Sequence, residues 1–395
     1  MKKHVVFALC VYLLSARVDG QAGSMTAILQ EIEQNNKELT ALATYIESRE
    51  LALKSGNTLP DPRVAAYYLP FGSGAQGNYR ELEISQSMEF PTVYGARSNL
   101  IKKQAEGLRL DYESRRQAVL LEAAGYCLEL VYLNKRLEVE TLRHRQAQNI
   151  YEQVQELFEQ DQVGILDLNK ARLAWMQEQF TIEEIESKRQ ITLRHLARLN
   201  GGEPLTLEQA AYDMRLLTAG EKDSLWQTKL AMDPALQQLQ KQQAIAEQQL
   251  KLTRHQVLPD LTAGYNYQND SQVSFSGVYA GLSIPLWSSR HTVKAARKDL
   301  EYKDNHAEAT IIKARAEFDE QFSQLQHKAH KYREYRQTLG ELNTEDLLLQ
   351  AYRLGELSFI AYYQELDFYR QAYDTMLEME KTLFQLQTDL LKHTL

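Results

Sequence analysis

Cysteine is nearly missing from this chain: 2 in 395 residues, Cys10 and Cys127. Cys10 falls in an N-terminal segment predicted to be removed, so no intrachain disulfide can staple the mature fold. Proline (8) and glycine (18) are scarce for the length. That shortage of turn formers and helix breakers excludes an all-β protein and favours long, uninterrupted helices. No apolar run approaches the roughly 20 residues of a membrane-spanning helix. With 44% hydrophobic residues and a mean hydropathy of -0.48, a polytopic helical membrane protein is excluded. Basic excess is missing too: 45 Lys+Arg against 53 Asp+Glu give -8, which argues against nucleic acid as a partner. Against 3 Trp and 11 Phe stand 22 Tyr, rings that are apolar with one polar end and suit interfaces, including a membrane–water boundary.

The N-terminus reads as an export signal, residues 1–22. Lys2 and Lys3 precede an apolar run from Val5 to Leu14, and Gly20 and Ala22 are spaced for cleavage after Ala22. Cys10 follows Phe7-Ala8-Leu9 without the small residue that a lipidation site wants before its cysteine.

The rest of the chain reads as a duplication. Asn36-Lys37-Glu38-Leu39 corresponds to Asp233-Pro234-Ala235-Leu236, and Leu53-Lys54 to Leu250-Lys251, at the same offset of 197 residues. Leu59-Pro60-Asp61 then answers Leu258-Pro259-Asp260, Phe90-Pro91 answers Ile284-Pro285, and Val163-Gly164 answers Leu354-Gly355. The order is kept and the offset stays near half the chain length. This divides the mature chain into a first repeat, 23–200, a linker, 201–224, and a second repeat, 225–395.

Each repeat is predicted as helix, β-hairpin, long helix and returning helix. In the first, a helix over about 25–56 leads to a hairpin over 61–91, bracketed by Pro60 and Pro62 and turned by Gly72, Gly74 and Gly77. Leu82, Ile84, Met88 and Phe90 alternate with Glu81, Glu83, Ser85, Ser87 and Glu89. In the second, the hairpin covers 259–287. There Leu261, Ala263, Tyr265 and Tyr267, and then Val278, Ala280, Leu282, Ile284 and Leu286, alternate with polar or small residues. Period-two patterning means strands with one apolar and one polar face. From Gly95 to Gln160 no proline intervenes, which predicts one helix roughly 99 Å long, and Ser289 to Tyr352 predicts a partner of roughly 96 Å. Return helices are expected over about 165–199 and 357–391. Apolar residues at threes and fours, as in Leu121, Ala124, Leu128 and Val131, call for side-by-side packing in water.

Four strands of this length suit a tilted bilayer crossing, which takes about 9–11 residues. Four cannot close a barrel, and an open edge cannot exist in lipid. Closure therefore demands other copies of the chain. Tyr67, Tyr68, Phe71, Tyr79, Phe90, Tyr265, Tyr267 and Trp287 stand near strand ends, as an aromatic girdle in outer-membrane lipid would. The alternative from patterning is a soluble periplasmic coiled-coil or adaptor protein, with two hairpins capping a helical bundle.

These features together resemble the TolC family of outer-membrane efflux ducts, over essentially the whole mature chain. The more specific marks are Leu258-Pro259-Asp260-Leu261 entering a strand, Phe90-Pro91 and Ile284-Pro285 closing one, and the turns Val163 to Asp167 and Leu354 to Ser358. The resemblance implies a mainly α fold with a small β part: a long helical coiled-coil barrel joined to a trimeric β-barrel. It also implies a homotrimer in the outer membrane of a Gram-negative bacterium, extending into the periplasm. The partners implied are a periplasmic adaptor and an inner-membrane pump of the RND type. The stretch Ile84 to Tyr94 is similar to the branch that serves heavy-metal pumps.

Site residues follow from the same resemblance. Asp167, Arg172, Tyr352 and Arg353 are implied as periplasmic gate residues, a carboxylate accepting bonds from tyrosine and arginine. Gly164, Leu166, Gly355 and Leu357 are implied at the helix tips that meet the adaptor. Both turns are about three residues shorter than in the best-known members, and Ser358 and Ala361 stand where an acidic ring would be. His327 and His330 share a helix without a third ligand nearby, so no metal site and no cofactor are expected. Phosphate loops, Gly-x-Ser-x-Gly and His-Glu-x-x-His are missing, so the chain is not expected to be an enzyme.

Overall fold

A computed structural model describes residues 24–70, 79–212, 215–270, 273–287, 289–342 and 344–395, without the side chains of 344–346 and 359–360. The expected export signal, together with Phe71, Gly72, Gly74 and Gly77, lies outside the described residues. The first half of the chain runs α1 (Met25–Asn35), α2 (Lys37–Ser55), β1 (Arg63–Leu69), β2 (Tyr79–Met88), α3 (Pro91–Glu159) and α4 (Ile165–Leu199). The second runs α5 (Lys222–Met232), α6 (Pro234–His255), β3 (Asp260–Asn269), β4 (Ser274–Ser283), α7 (Thr292–Glu341), α8 (Thr344–Arg353) and α9 (Phe359–Leu390). The fold is mainly α with a small β part.

Three departures from the expected helices have local causes. The helix expected over 25–56 is two, because Asn36 leaves helical geometry (φ -64°, ψ 116°) and its side chain accepts a bond from the Leu39 amide at 3.0 Å. Asp233 does the same in the second half (φ -68°, ψ 115°), accepting from the Ala235 amide at 3.0 Å, with Pro234 in the first turn. Both are helix N-caps, whose oxygen satisfies an amide that the helix cannot. The partner of α3 is also broken. At Leu342 the backbone becomes extended (φ -90°, ψ 92°), just past Gly340, a residue that weakens a helix interior.

The two helical tips close with the same bonds but different residues. After α3, the Gln162 amide bonds to Leu157 O and Asp161 N to Phe158 O; after α8, Glu356 N bonds to Ala351 O and Gly355 N to Tyr352 O. These pairs define Schellman motifs, whose penultimate residue takes the left-handed conformation. That residue is Asp161 (φ 56°) in one tip and Gly355 (φ 76°) in the other. Gly164, matched with Gly355 on sequence, is instead the N-cap of α4. Its structural counterpart is Ser358, the N-cap of α9, whose hydroxyl accepts from the Ala361 amide at 3.3 Å.

The chain divides into two compact units. The first comprises α1, α3 from Tyr126 onward, α4 and the segment after it. Leu128, Leu130, Leu196, Leu199 and Leu207 are buried there. Asn134, also buried, pins that last segment: its amide donates to Leu207 O (2.8 Å) and Gln209 O (3.1 Å), while its oxygen accepts from Arg189 Nε (2.8 Å). The second unit holds the rest, with a helical core that includes Phe318, Phe322, Leu325, Leu377 and Leu383. There Gln387 accepts from the Leu217 amide and donates to Arg215 O. All four strands lie in this unit as one antiparallel sheet in the order β1-β2-β3-β4, so the hairpins of the two halves are joined through β2 and β3.

Candidate functional site: the sheet and the helical tips

The pairing register sorts the strand residues onto two faces. Val64, Ile84, Tyr265 and Val278 form one continuous row across the four strands. Ala66, Leu82, Tyr267 and Ser276 form the next, and Met88, Leu261 and Leu282 a third. This apolar face is open: Val278 is 87% exposed, Leu282 67% and Val64 64%. The opposite face carries Arg63, Glu81, Glu83, Ser85, Asn266, Gln268 and Tyr279 and is tied by hydrogen bonds. Glu81 accepts from Asn266 (2.6 Å), Gln268 (3.3 Å) and the Tyr79 hydroxyl (2.9 Å). Glu83 accepts from the Tyr279 hydroxyl, and Ser87 and Thr262 share a bond at 2.9 Å. In a sheet folded in water the apolar face is the one covered. Here it is the bare one.

The expected girdle residues scatter. Tyr68 sits on the apolar face at the hairpin end, with the Arg80 guanidinium 5.5 Å above its ring. Tyr265 and Tyr267 are also on that face, but Tyr265 is at mid-strand rather than at a rim. Trp287, past the end of β4, is 82% exposed. Three others lie off the apolar face, and one is Tyr79, which shares the polar face with Glu81 and donates its hydroxyl to it. Tyr67 pairs with Glu81 and so lies on the polar face. Phe90 lies beyond β2 and packs on the helical cluster of Val93, Ala96, Leu100 and Leu252; the chain turns into α3 there, so alternation no longer applies.

At the first tip, Asp167 lies in the first turn of α4, where a carboxylate is favoured by the helix dipole. Arg172 is exposed one turn on, and no ion pair joins the two among the described residues. Leu166 is 69% exposed, and Gly164 is exposed beside it. At the second tip, Tyr352 stacks on the buried Tyr362, ring centres 5.0 Å apart. Arg353 and Gly355 are exposed and Leu357 is half-buried. The Asp167 tip belongs to the first unit and the Tyr352 tip to the second.

Sequence reasoning missed two clusters. On the sheet, the ring of Tyr279 occupies the space over Gly264. In the first unit, the Trp175 indole donates to His144 Nε2 at 3.0 Å and stacks on Tyr151 at 5.4 Å. Neither has a motif; only the pairing of elements brings these residues together. His327 and His330 are both exposed, and His330 faces Glu334 at 3.4 Å. Among the described residues no helix is long and apolar enough to cross a membrane.

No protein-family model matches the chain, and no curated protein matches it. Solved structures do. The chain is similar to CusC, whose crystal structures concern transmembrane channel formation, at 13% identity, covering 93% of this chain and 91% of that one with a TM-score of 0.75. It is similar to the CmeC outer membrane channel of Campylobacter jejuni at 13% identity, covering 93% and 85%, TM-score 0.71. The outer membrane protein VceC of Vibrio cholerae is similar at 13% identity, covering 93% and 95%, TM-score 0.70. The chain therefore has the TolC-like fold, the one these channels share.

Proposed function

We propose that three copies of this chain form an outer-membrane exit duct, each contributing four strands to one barrel and its helices to a periplasmic tunnel. The duct passively conducts substrate delivered by an inner-membrane RND-type pump through a periplasmic adaptor. The polarity of the sheet supports this reading most. An open apolar face with a hydrogen-bonded polar face suits lipid outside and water inside. Strands of 10 residues in β2, β3 and β4 fit the bilayer. The outer edges of β1 and β4, unpaired among the described residues, would pair with neighbouring copies, because lipid tolerates no open edge. The likeness of Ile84 to Tyr94 to the heavy-metal branch makes heavy-metal ions the first substrates to try.

The deciding experiment is the mass of detergent-extracted protein from the outer-membrane fraction, by light scattering, with negative-stain images. A trimer is expected. A water-soluble monomer would instead favour a periplasmic structural or adaptor protein. On the duct reading, Asp167, Arg172, Tyr352 and Arg353 hold the periplasmic end shut through contacts between tips. The double variant Asp167→Ala, Tyr352→Phe should then raise conductance in planar bilayers, and unchanged closure would remove these residues from the gate.

A further inference from the structure

Side chains on strands ordinarily stand roughly perpendicular to the sheet. Tyr279 does not. β4 sets it directly opposite Gly264 of β3, and β3 sets Gly264 opposite Ser85 of β2. A Cβ at position 264 would lie 2.5 Å from Cε1 and Cζ of Tyr279 and 2.7 Å from its hydroxyl oxygen. The ring thus fills the place of the missing side chain, and its hydroxyl continues to Glu83 on β2. One tyrosine lies flat across three strands of the polar face. Ser85 is the one buried residue among the described strand residues. On β4 the polar-face neighbours of Tyr279 are Gly277 and Gly281; a Cβ at Gly277 would meet nothing within 4 Å, and one at Gly281 only Thr262 at 3.8 Å. Nothing on that strand props the ring up.

We infer that Gly264, Tyr279 and Glu83 together set the free bore of the channel. Gly264 is the recess that receives the ring, Glu83 is the anchor that holds its hydroxyl, and Tyr279 is the element that is stowed or released. Fill the recess or remove the anchor and the ring stands into the lumen, once per copy. This rests on the duct reading, which makes the polar face the lumen wall.

The test uses the full chain carrying Ser283→Cys, an exposed polar-face position nearer than Tyr279 to the helix end of β4. Cys127 does not compete, being buried, with its thiol pushed up to about 12 by that burial. Maleimides on polyethylene glycol chains of increasing size are added outside intact cells, and the labelling rate is read for each size. Gly264→Ala should slow the large reagents several-fold while leaving a small maleimide unaffected. Tyr279→Phe, which keeps the ring and loses the anchor, should slow them too. Tyr279→Ala should speed them, and the Gly264→Ala, Tyr279→Ala double should label at least as fast as the parent. Light scattering of each variant checks that it still assembles. A purely sheet-stabilising role would move melting temperatures and leave every labelling rate unchanged, which overturns the inference. So would slow labelling that persists in the double variant. If Ser283→Cys reacts with the small maleimide only after lysis, the duct reading falls first, and the inference with it.

Discussion

The helices and the sheet of this chain obey opposite rules. Along α7 and α9, Phe318, Phe322, Leu325, Leu377 and Leu383 are buried while charges such as Lys313 and Glu317 face outward. On the sheet, Val64, Val278 and Leu282 are bare while Glu81 and Glu83 are held by hydrogen bonds across the opposite face. Both arrangements minimise apolar surface in water only if the two regions have different surroundings. On the duct reading, the difference teaches that one chain is built for two solvents, and that burial within the single chain measures only one of them.

The comparison breaks first in the helical core. Phe318→Ala removes a ring that packs on Trp226 and Phe322, with centres 5.5 and 6.0 Å away. It should cost about 3–5 kcal/mol, read as a drop in helical melting temperature. Next comes the sheet, where the rule reverses. Val278→Lys, at an 87% exposed position, should be nearly silent in a water-facing sheet but cost about 2–4 kcal/mol at the middle of a bilayer. Reconstitution into lipid vesicles, scored by the folded fraction, tells these apart; full tolerance would take the sheet out of lipid.

Smaller effects sharpen the comparison between the two halves. Asn36→Ala and Asp233→Ala each remove a helix cap worth about 1 kcal/mol. Asp233→Ala should cost more, because Asp233 also accepts from Lys229 at 2.7 Å in a nearly dry setting. Thermal melts of the two variants, side by side, measure that gap.

The smallest effect is electrostatic and lies in water. Arg215, and then the amide and hydroxyl of Thr218, hold the Glu221 carboxyl down to about 2. A folded value below the unfolded one stabilises at higher pH: the contribution is complete above the ordinary carboxylate range and fades as pH falls toward 2. Protection of the Thr218 and Glu221 amides against exchange, taken relative to the unfolded chain at the same pH, should therefore hold near neutral pH and fall with acidification. Glu221→Gln should flatten that dependence.

Much of this was legible along the chain. Period-two alternation exposed the strands, because a strand's faces repeat every second residue whatever its partner. Scarce proline exposed the long helices, and the Asn36 and Asp233 correspondence was visible before its capping role was. The breaks were harder to see. Asn36 and Leu342 interrupt runs whose composition is otherwise helical, and propensity is a weak guide against one well-made cap. Tyr67 illustrates another limit. Alternation shows that it differs in face from Tyr68, but which face is the polar one depends on its pairing with Glu81. The amide clasps of Asn134 and Gln387 left no local trace, since each bonds to backbone far away in the chain.

The amino-acid sequence by itself determined the helix and strand types, the two-fold internal repeat and the amphipathic faces, because these depend on periodicity and on bonds spanning a few residues. Tertiary structure alone decided the rest. It joined the hairpins of the two halves through β2 and β3. It also laid Tyr279 over Gly264. Each is a matter of register between segments distant in the chain, and one residue of slip would send every strand side chain to the other face.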